Sequence, residues 1–138
     1  MLQFAAMGLV ALLSRFPPRT PTWVSLSGLI FVAAGAAWFA LGVRALGRNL
    51  TYFPRPKPRG VLVEHGAYRY ARHPIYGGAL LIFVGVGLVS SWPALAATAL
   101  LAYVWFRKSQ VEERLLAERF PGYAQYRERV RSRFLPWL

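Results

Sequence analysis

The sequence predicts an all-α, polytopic membrane protein with about four transmembrane helices, and three observations carry that prediction. Uncharged apolar blocks recur along the chain, basic residues gather in the gaps between them, and Ser90-Ser91-Trp92-Pro93 interrupts the longest block. Composition agrees. Of the 138 residues, 56% are hydrophobic and 16% charged, against roughly 45–50% and about 25% in soluble domains. A net charge of +12 on so apolar a chain argues against a small soluble core, and the apolar fraction excludes a disordered basic tail. The absence of cysteine removes any disulfide framework, thiolate metal site or cysteine nucleophile. The length fits one domain, so residues 1–138 read as a single integral-membrane unit.

The elements follow in order. Residues 1–13 carry no formal charge and read as a short span over about 1–14. A signal peptide is the weaker reading, because no basic segment precedes the block and no small-x-small cleavage site follows it. The competing topology has three spans and leaves this block out. Residues 23–43 form a 21-residue uncharged block, enough for one crossing of a hydrocarbon core about 30 Å thick. Residues 77–106 form a 30-residue block. Seven basic residues lie over 44–72 and eight over 107–133, against two in the first gap. Since Lys and Arg concentrate on the cytoplasmic side, both basic regions belong on one side, and the long block must double back. Ser91 or Trp92 can cap the returning helix and Pro93 suits its first turn. The spans are then about 75–90 and 93–106, with both termini cytoplasmic, in the cytoplasmic membrane of a prokaryote. Arms of about 14 residues reach roughly 21 Å, so flanking residues or local thinning must complete the crossing.

Small residues populate these spans. Gly28, Ala33, Ala34, Gly35, Ala36 and Ala37 permit close helix contact, as do Gly77, Gly78, Gly85 and Gly87. Gly85-Val86-Gly87 imitates a nucleotide loop, but no strand precedes it, and helix packing is the better reading.

The cytoplasmic regions are 44–74 and 107–138. Pro54, Pro56 and Pro58 alternate and bias their neighbours toward extended backbone. Residues 60–66 read as a short extended segment closed by a turn. His73 stands at the N-terminal edge of the hairpin, where backbone N–H groups and the helix dipole favour an anion. The tail is helical over about 107–120, breaks at Pro121-Gly122, and resumes over 123–130 with Tyr123, Tyr126 and Val130 near one face. Arg127, Arg129, Arg131 and Arg133 should meet an anionic leaflet, with Phe134, Trp137 and Leu138 dipping into the interface.

Four of the five acids lie over residues 112–128, and Asp is absent. A hairpin joins its feet, so Arg72, His73, Tyr76, Glu112 and Glu113 should cluster at the cytoplasmic interface. Ionisable groups at that depth are functional candidates. The alternative is a structural belt of Arg72 or Arg69 with Glu112 or Glu113. Two histidines without helical spacing give no metal site. A serine triad lacks both its Asp and a G-x-S-x-G turn. The membrane accounts for the basic tail better than nucleic acid does.

Tyr68-x-x-x-Arg72-His73-Pro74-x-Tyr76-x-Gly78, then a hydrophobic hairpin, then Glu112-Glu113-x-x-Leu116-x-x-x-Phe120-Pro-Gly-Tyr123-x-x-Tyr126-x-x-x-Val130 and a late Pro136 resembles the isoprenylcysteine carboxyl methyltransferase family, to which phospholipid methyltransferases are related. The resemblance covers about 44–138. It implies S-adenosyl-L-methionine in a cytoplasmic pocket, with Gly60, Val61, Leu62 and Val63 as a backbone wall and Tyr68, His73, Pro74, Ile75, Tyr76 and Glu112 completing it. Bland alternatives stand beside each: Tyr68 and Tyr76 as interface aromatics, His73 as a helix cap, Glu112 as a partner of Arg72.

Family members that methylate a prenylated cysteine place Arg four residues before the first Glu. Here Lys108 holds that position, a point charge rather than a bidentate fork. The implied reaction is in-line methyl transfer to an acceptor with a lipid-like tail, oriented by Arg107 or Lys108. Carboxylate O-methylation is favoured. An amine or hydroxyl acceptor would need Glu113 or His73 as base. An NADPH-dependent membrane reductase and a non-enzymatic membrane scaffold are the rival readings.

Overall fold

The computed structural model describes residues 2–16, 19–49 and 60–136. The alternating prolines, Trp137 and Leu138 lie outside the described residues. The architecture is all-helical: α1 (Leu2–Leu13), α2 (Thr22–Leu46), α3 (Pro74–Ser90), α4 (Trp92–Arg119) and α5 (Tyr123–Arg129). Tight helical turns at Gly47–Asn49 and Gly66–Arg69 extend α2 and precede α3. No strand occurs among the described residues; a single antiparallel bridge joins Arg19 to Ser91. In space α2 packs on α3, α3 on α4, and α4 on α1.

The chain reverses where the sequence placed the break. Ser91 is extended at φ −162°. Its hydroxyl oxygen accepts from the Ala94 N–H at 3.4 Å and its O–H donates to the Leu13 carbonyl at 2.8 Å. One buried serine therefore caps α4 and fastens the end of α1. The returning helix differs from expectation. It is a single helix of 28 residues, not a span followed by a separate tail helix. Polarity changes at Arg107, but neither Gly nor Pro occurs between Pro93 and Pro121, so the hydrogen-bond ladder continues. It stops at Phe120, before Pro121-Gly122.

By length and composition, residues 22–49 form a helix long and apolar enough to cross a membrane, with mean hydropathy 2.0 over its most apolar 18 residues; α1 and α3 are apolar but shorter. The outer face of α2 exposes Trp23 (76%), Leu26, Leu29 and Ile30 (70%). A contiguous apolar face is a docking or membrane surface rather than a water-facing one.

Glycines set the α2–α3 contact. Gly28, Gly35 and Gly42 recur every seventh residue of α2, and Gly78 and Gly85 do so on α3. A Cβ at Gly28 would stand 2.7 Å from the Gly85 carbonyl oxygen, and one at Gly35 2.7 Å from that of Gly78. Backbone meets backbone, the close approach that small residues allow in membrane helices. Gly87 serves α4 instead, against Leu95. The Gly85-Val86-Gly87 run is thus occupied by helix packing.

Behind α5 the tail folds back over the foot of α3. The Arg72 N–H donates to the Ser132 carbonyl (3.0 Å) and the His73 N–H to that of Arg133 (2.7 Å). Trp38 Nε1 on α2 donates to the Phe134 carbonyl at 3.1 Å. Tyr123, Tyr126 and Val130 form a buried cluster with Leu62, Leu116 and Phe120, so the predicted face of α5 is its inner face.

Gly78→Leu puts a side chain against the Phe39 and Gly35 backbone. Thermal unfolding in detergent should show a loss of about 1–3 kcal/mol or more. Gly8→Ala, with open space around it, should match or exceed the parent, because alanine favours helix.

Candidate functional site

Three segments converge beside the hairpin feet. The first is residues 60–63. Asn49 Oδ1 accepts from the Val61 N–H at 3.1 Å, which fastens this segment to the end of α2. The turn that follows needs Gly66, whose φ is +61° and whose added Cβ would lie 2.9 Å from the Ala45 Cβ. The second segment is the foot of α3 with Arg72, His73 and Tyr76. The third is the C-terminal half of α4, where Trp105, Lys108, Glu112 and Leu116 follow at three- and four-residue spacing and so share one helix face.

The adjacent glutamates do different things. Glu112 faces His73, Tyr76 and Lys108. The Tyr76 hydroxyl donates to its Oε1 at 2.6 Å, Lys108 Nζ is 3.6 Å from the same oxygen, and His73 Nδ1 is 3.6 Å from Oε2. Glu113 is buried and turned the other way. Arg72 Nε donates to its Oε1 at 3.0 Å, with His73 Nε2 at 3.2 Å and Arg133 Nε at 3.4 Å. Burial alone would raise the Glu113 carboxyl. Hydrogen bonds and charge from His73 and Arg72 outweigh it and hold the pKa down at about 2. Arg72 Nη1 also donates to the Val130 and Arg131 carbonyls, at 2.7 and 2.6 Å. The expected cluster is therefore divided: Glu112 meets Tyr76 and Lys108, and Glu113 forms the arginine belt.

Glu112 opens on a cavity of about 480 Å³, within the range of small-molecule sites. Gly60, Val61, Leu62, Val63, Tyr68, His73, Ile75, Tyr76, Lys108 and Glu112 line it. The other predicted residues lie off its wall. Pro74 is buried against Gly42 in the first turn of α3. Glu113 faces the arginines. Arg107 is exposed and donates to the Tyr103 hydroxyl at 3.3 Å. His73 precedes α3 but its side chain makes no capping hydrogen bond; its ring is committed to the two glutamates and stacks on Tyr76, 5.6 Å between centroids. Tyr76 stacks in turn on Trp105 at 5.6 Å.

Several lining residues were not among the candidate site residues of the sequence: Asn49, Trp105, Gln3 and Met7 of α1, and Phe120 and Tyr123, which stood there only as motif positions. Trp105 carried a signal, because it shares a helix face with Lys108 and Glu112 once α4 is continuous. Gln3 carried none; its Oε1 accepts from Lys108 Nζ at 2.8 Å across 105 positions of chain. Tyr123 is the informative one. Burial pushes its phenol above the ordinary range, with the Glu113 charge adding to the shift, so it keeps its proton. That hydroxyl is buried and has no hydrogen-bond partner among the described residues. A buried unpaired donor is costly; Tyr123 is among the residues that line the cavity, with the hydroxyl itself covered.

The family model described as phospholipid methyltransferase matches residues 23–122. Among curated relatives, a probable protein-S-isoprenylcysteine O-methyltransferase of Oryza sativa subsp. indica is 32% identical over 123 residues, 85% of this chain and 64% of that protein. Protein-S-isoprenylcysteine O-methyltransferase A of Arabidopsis thaliana is 33% identical over 116 residues, 80% of this chain and 58% of that protein. The cobalt-zinc-cadmium resistance protein CzcN of Cupriavidus metallidurans is 30% identical over 126 residues, 85% of this chain and 53% of that protein. The chain thus spans less than two thirds of the length of each. These relatives agree with the resemblance carried by the paired motifs at 68–78 and 112–130.

Glu113→Gln should destabilise the fold by about 3–5 kcal/mol near neutral pH, because the clustered cations lose their anion. The sign follows from a carboxyl depressed from 4.5 to about 2 on folding. Its contribution is complete above the unfolded value and vanishes as pH falls through the folded one. Melting curves of parent and variant should therefore converge between about pH 4.5 and pH 2.

Proposed function

The chain belongs to the phospholipid methyltransferase family, and on that premise we propose that it is an S-adenosyl-L-methionine-dependent integral-membrane methyltransferase acting on a lipid-like acceptor. One observation carries the reading: the foot of α3 and Glu112 of α4, which the paired sequence motifs mark, surround a single cavity together with residues 60–63, the backbone wall that the resemblance implies. In the membrane arrangement we propose, α1, α2, α3 and the first half of α4 are four spans, both termini are cytoplasmic and the chain is one domain. The apolar outer face of α2 and the basic residues beyond the hairpin feet support it.

The residues present fit the cofactor. The cavity is large enough for a nucleoside with an amino-acid arm, its walls are aromatic and aliphatic, and its polar groups are few and fixed. Glu112 offers an anionic acceptor for ribose hydroxyls or an ammonium. Main-chain groups of residues 60–63 offer shape without charge. S-adenosyl-L-methionine supplies an electrophilic methyl group on a sulfonium. The protein's contribution is alignment, which can be worth about 7–11 kcal/mol when two reactants are held in line.

Carboxylate O-methylation is the favoured chemistry. A carboxylate needs no proton removed, and the candidate bases are poorly placed to remove one. Glu113 is held ionised by Arg72, His73 and Arg133 and is turned from the cavity, and a base of such low pKa takes protons weakly. Both His73 ring nitrogens face carboxylates. Lys108, on the cavity wall, is the cation that orients an anionic acceptor. Arg107 lies outside it. Glu113 acts by positioning His73 and Arg72.

Titration of the purified full chain should show binding of S-adenosylhomocysteine and none of NADPH. The opposite pattern overturns the proposal in favour of a membrane reductase. Glu112→Gln should weaken that binding at least about tenfold, the worth of one to two hydrogen bonds to buried groups. In labelled-methyl transfer to host lipid extracts, Lys108→Met should lose transfer while retaining S-adenosylhomocysteine binding. Arg107→Met should keep both.

A further inference from the structure

α1 carries one polar side chain, Gln3, in an otherwise apolar run. A polar group on such a helix is costly unless it finds a partner, and Gln3 finds the lysine of the cavity wall. Its Oε1 accepts from Lys108 Nζ at 2.8 Å, and Gln3 lines the same cavity. Docking of the helix does not call for this contact. α1 already packs on α4 through Ala6 against Leu101 and Trp105 and through Val10 against Ala94 and Ala97. Its end is fastened by the Ser91 hydroxyl, which donates to the Leu13 carbonyl.

Lys108 and Glu112 stand four residues apart on α4, where opposite charges are neighbours and pair by default. Here the pair is loose. Nζ lies 3.6 Å from Glu112 Oε1, beyond the roughly 2.7–2.9 Å of a charge-assisted hydrogen bond. That carboxylate oxygen accepts from the Tyr76 hydroxyl at 2.6 Å instead. Gln3 Oε1 holds the ammonium at hydrogen-bond length and leaves its charge intact, because a carboxamide is neutral. A closed Lys108–Glu112 pair would cancel both charges and withdraw a Glu112 oxygen from the cavity.

We propose that Gln3 is a positioning residue that draws the Lys108 ammonium away from Glu112, so that the cavity keeps an anion for the cofactor and a cation for the acceptor side by side. The inference rests on the methyltransferase reading of this cavity and gives α1 a part in it. Gln3 acts through Lys108. A neutral acceptor is the group the task needs: a carboxylate at this place would hold the lysine but cancel its charge, and an apolar side chain would release it to Glu112.

The test is a double-mutant cycle on the purified full chain in detergent, read as S-adenosylhomocysteine affinity by titration. Gln3→Leu should weaken binding about fivefold, the worth of one ion pair near a surface, because Lys108 closes on Glu112. Lys108→Met should bind like the parent. The Gln3→Leu, Lys108→Met double variant should do the same, since no ammonium is left to close. A purely structural role for Gln3 expects the loss to persist in the double variant. Gln3→Glu divides the effects the other way, and it keeps the proposal testable if Gln3→Leu misfolds. It holds Lys108 but neutralises it, so affinity for S-adenosylhomocysteine should stay within about twofold of the parent. Labelled-methyl transfer to host lipid extracts should fall at least about tenfold, the worth of a hydrogen bond to a charged group. Unchanged affinity in Gln3→Leu, an undiminished loss in the double variant, or full transfer by Gln3→Glu would each overturn the proposal. A parent chain that binds no S-adenosylhomocysteine overturns the methyltransferase reading and this inference with it, a result distinct from those three.

Discussion

The buried Glu113 carboxylate is the point on which the polar half of the molecule, beyond the hairpin feet, turns. Arg72 and His73 reach it from the foot of α3, Arg133 from the tail, and the group itself stands on α4. Burying an anion costs several kcal/mol, and the cost is offset only where geometry and additional hydrogen bonds are good. Here the spare donors of Arg72 go to the Val130 and Arg131 carbonyls, and the N–H groups of Arg72 and His73 bind the tail backbone. Three stretches of chain, separated by about forty and twenty residues, are fixed in one register. Removing any member leaves charge or backbone unpaired in a poorly solvated place.

That register decides where the neighbouring residue points. Successive residues on a helix differ by about 100° in direction. With Glu113 committed to the arginines, Glu112 is carried around toward Tyr76, Lys108 and the cavity. The belt and the site are coupled by geometry: a shift of α4 that weakened one would displace the other. The glycine seam supports the same register from the opposite side. Gly35 on Gly78 and Gly28 on Gly85 leave no room for α3 to slide along α2, and Gly42 against Ile75 places the first turn of α3 beside the cavity wall.

Much of this was legible in residue order because the strongest signals are additive along the chain. Charge-free blocks announce helices that must hide from water or face lipid. Basic residues at both feet required the return at Ser91, and Ser91-Trp92-Pro93 had the chemistry for it. The division of labour between Glu112 and Glu113 was not legible: both carry the same group, and only the phase of α4 relative to α3 tells them apart. The continuity of α4 was obscured by the polarity change at Arg107, although polarity does not break helices; proline and glycine do. Gln3 meeting Lys108 and Phe134 meeting Trp38 are contacts between distant segments with no local pattern. Tyr123 looked like a core residue, and by burial it is one. Only its unanswered hydroxyl distinguishes it from Tyr126, whose hydroxyl donates to the Tyr68 carbonyl at 2.8 Å.

Lys108 bears on how selective the proposed acceptor site can be. Its ammonium stands 2.8 Å from Gln3 Oε1, 3.6 Å from Glu112 and 5.2 Å from the centre of the Tyr76 ring. Those contacts hold the charge in place from three directions, without the planar fork that an arginine would present. A fork imposes an orientation on a carboxylate through two parallel hydrogen bonds, whereas an ammonium attracts an anion over a range of approach angles. Orientation must then come from elsewhere, and the stacked Trp105, Tyr76 and His73 rings are the rigid surface available to provide it. Because flat apolar walls recognise shape and area more than hydrogen-bond pattern, a site built this way discriminates acceptors mainly by the hydrophobic body attached to the anion. Replacing Lys108 by arginine would move the basis of selection from that body to the carboxylate itself.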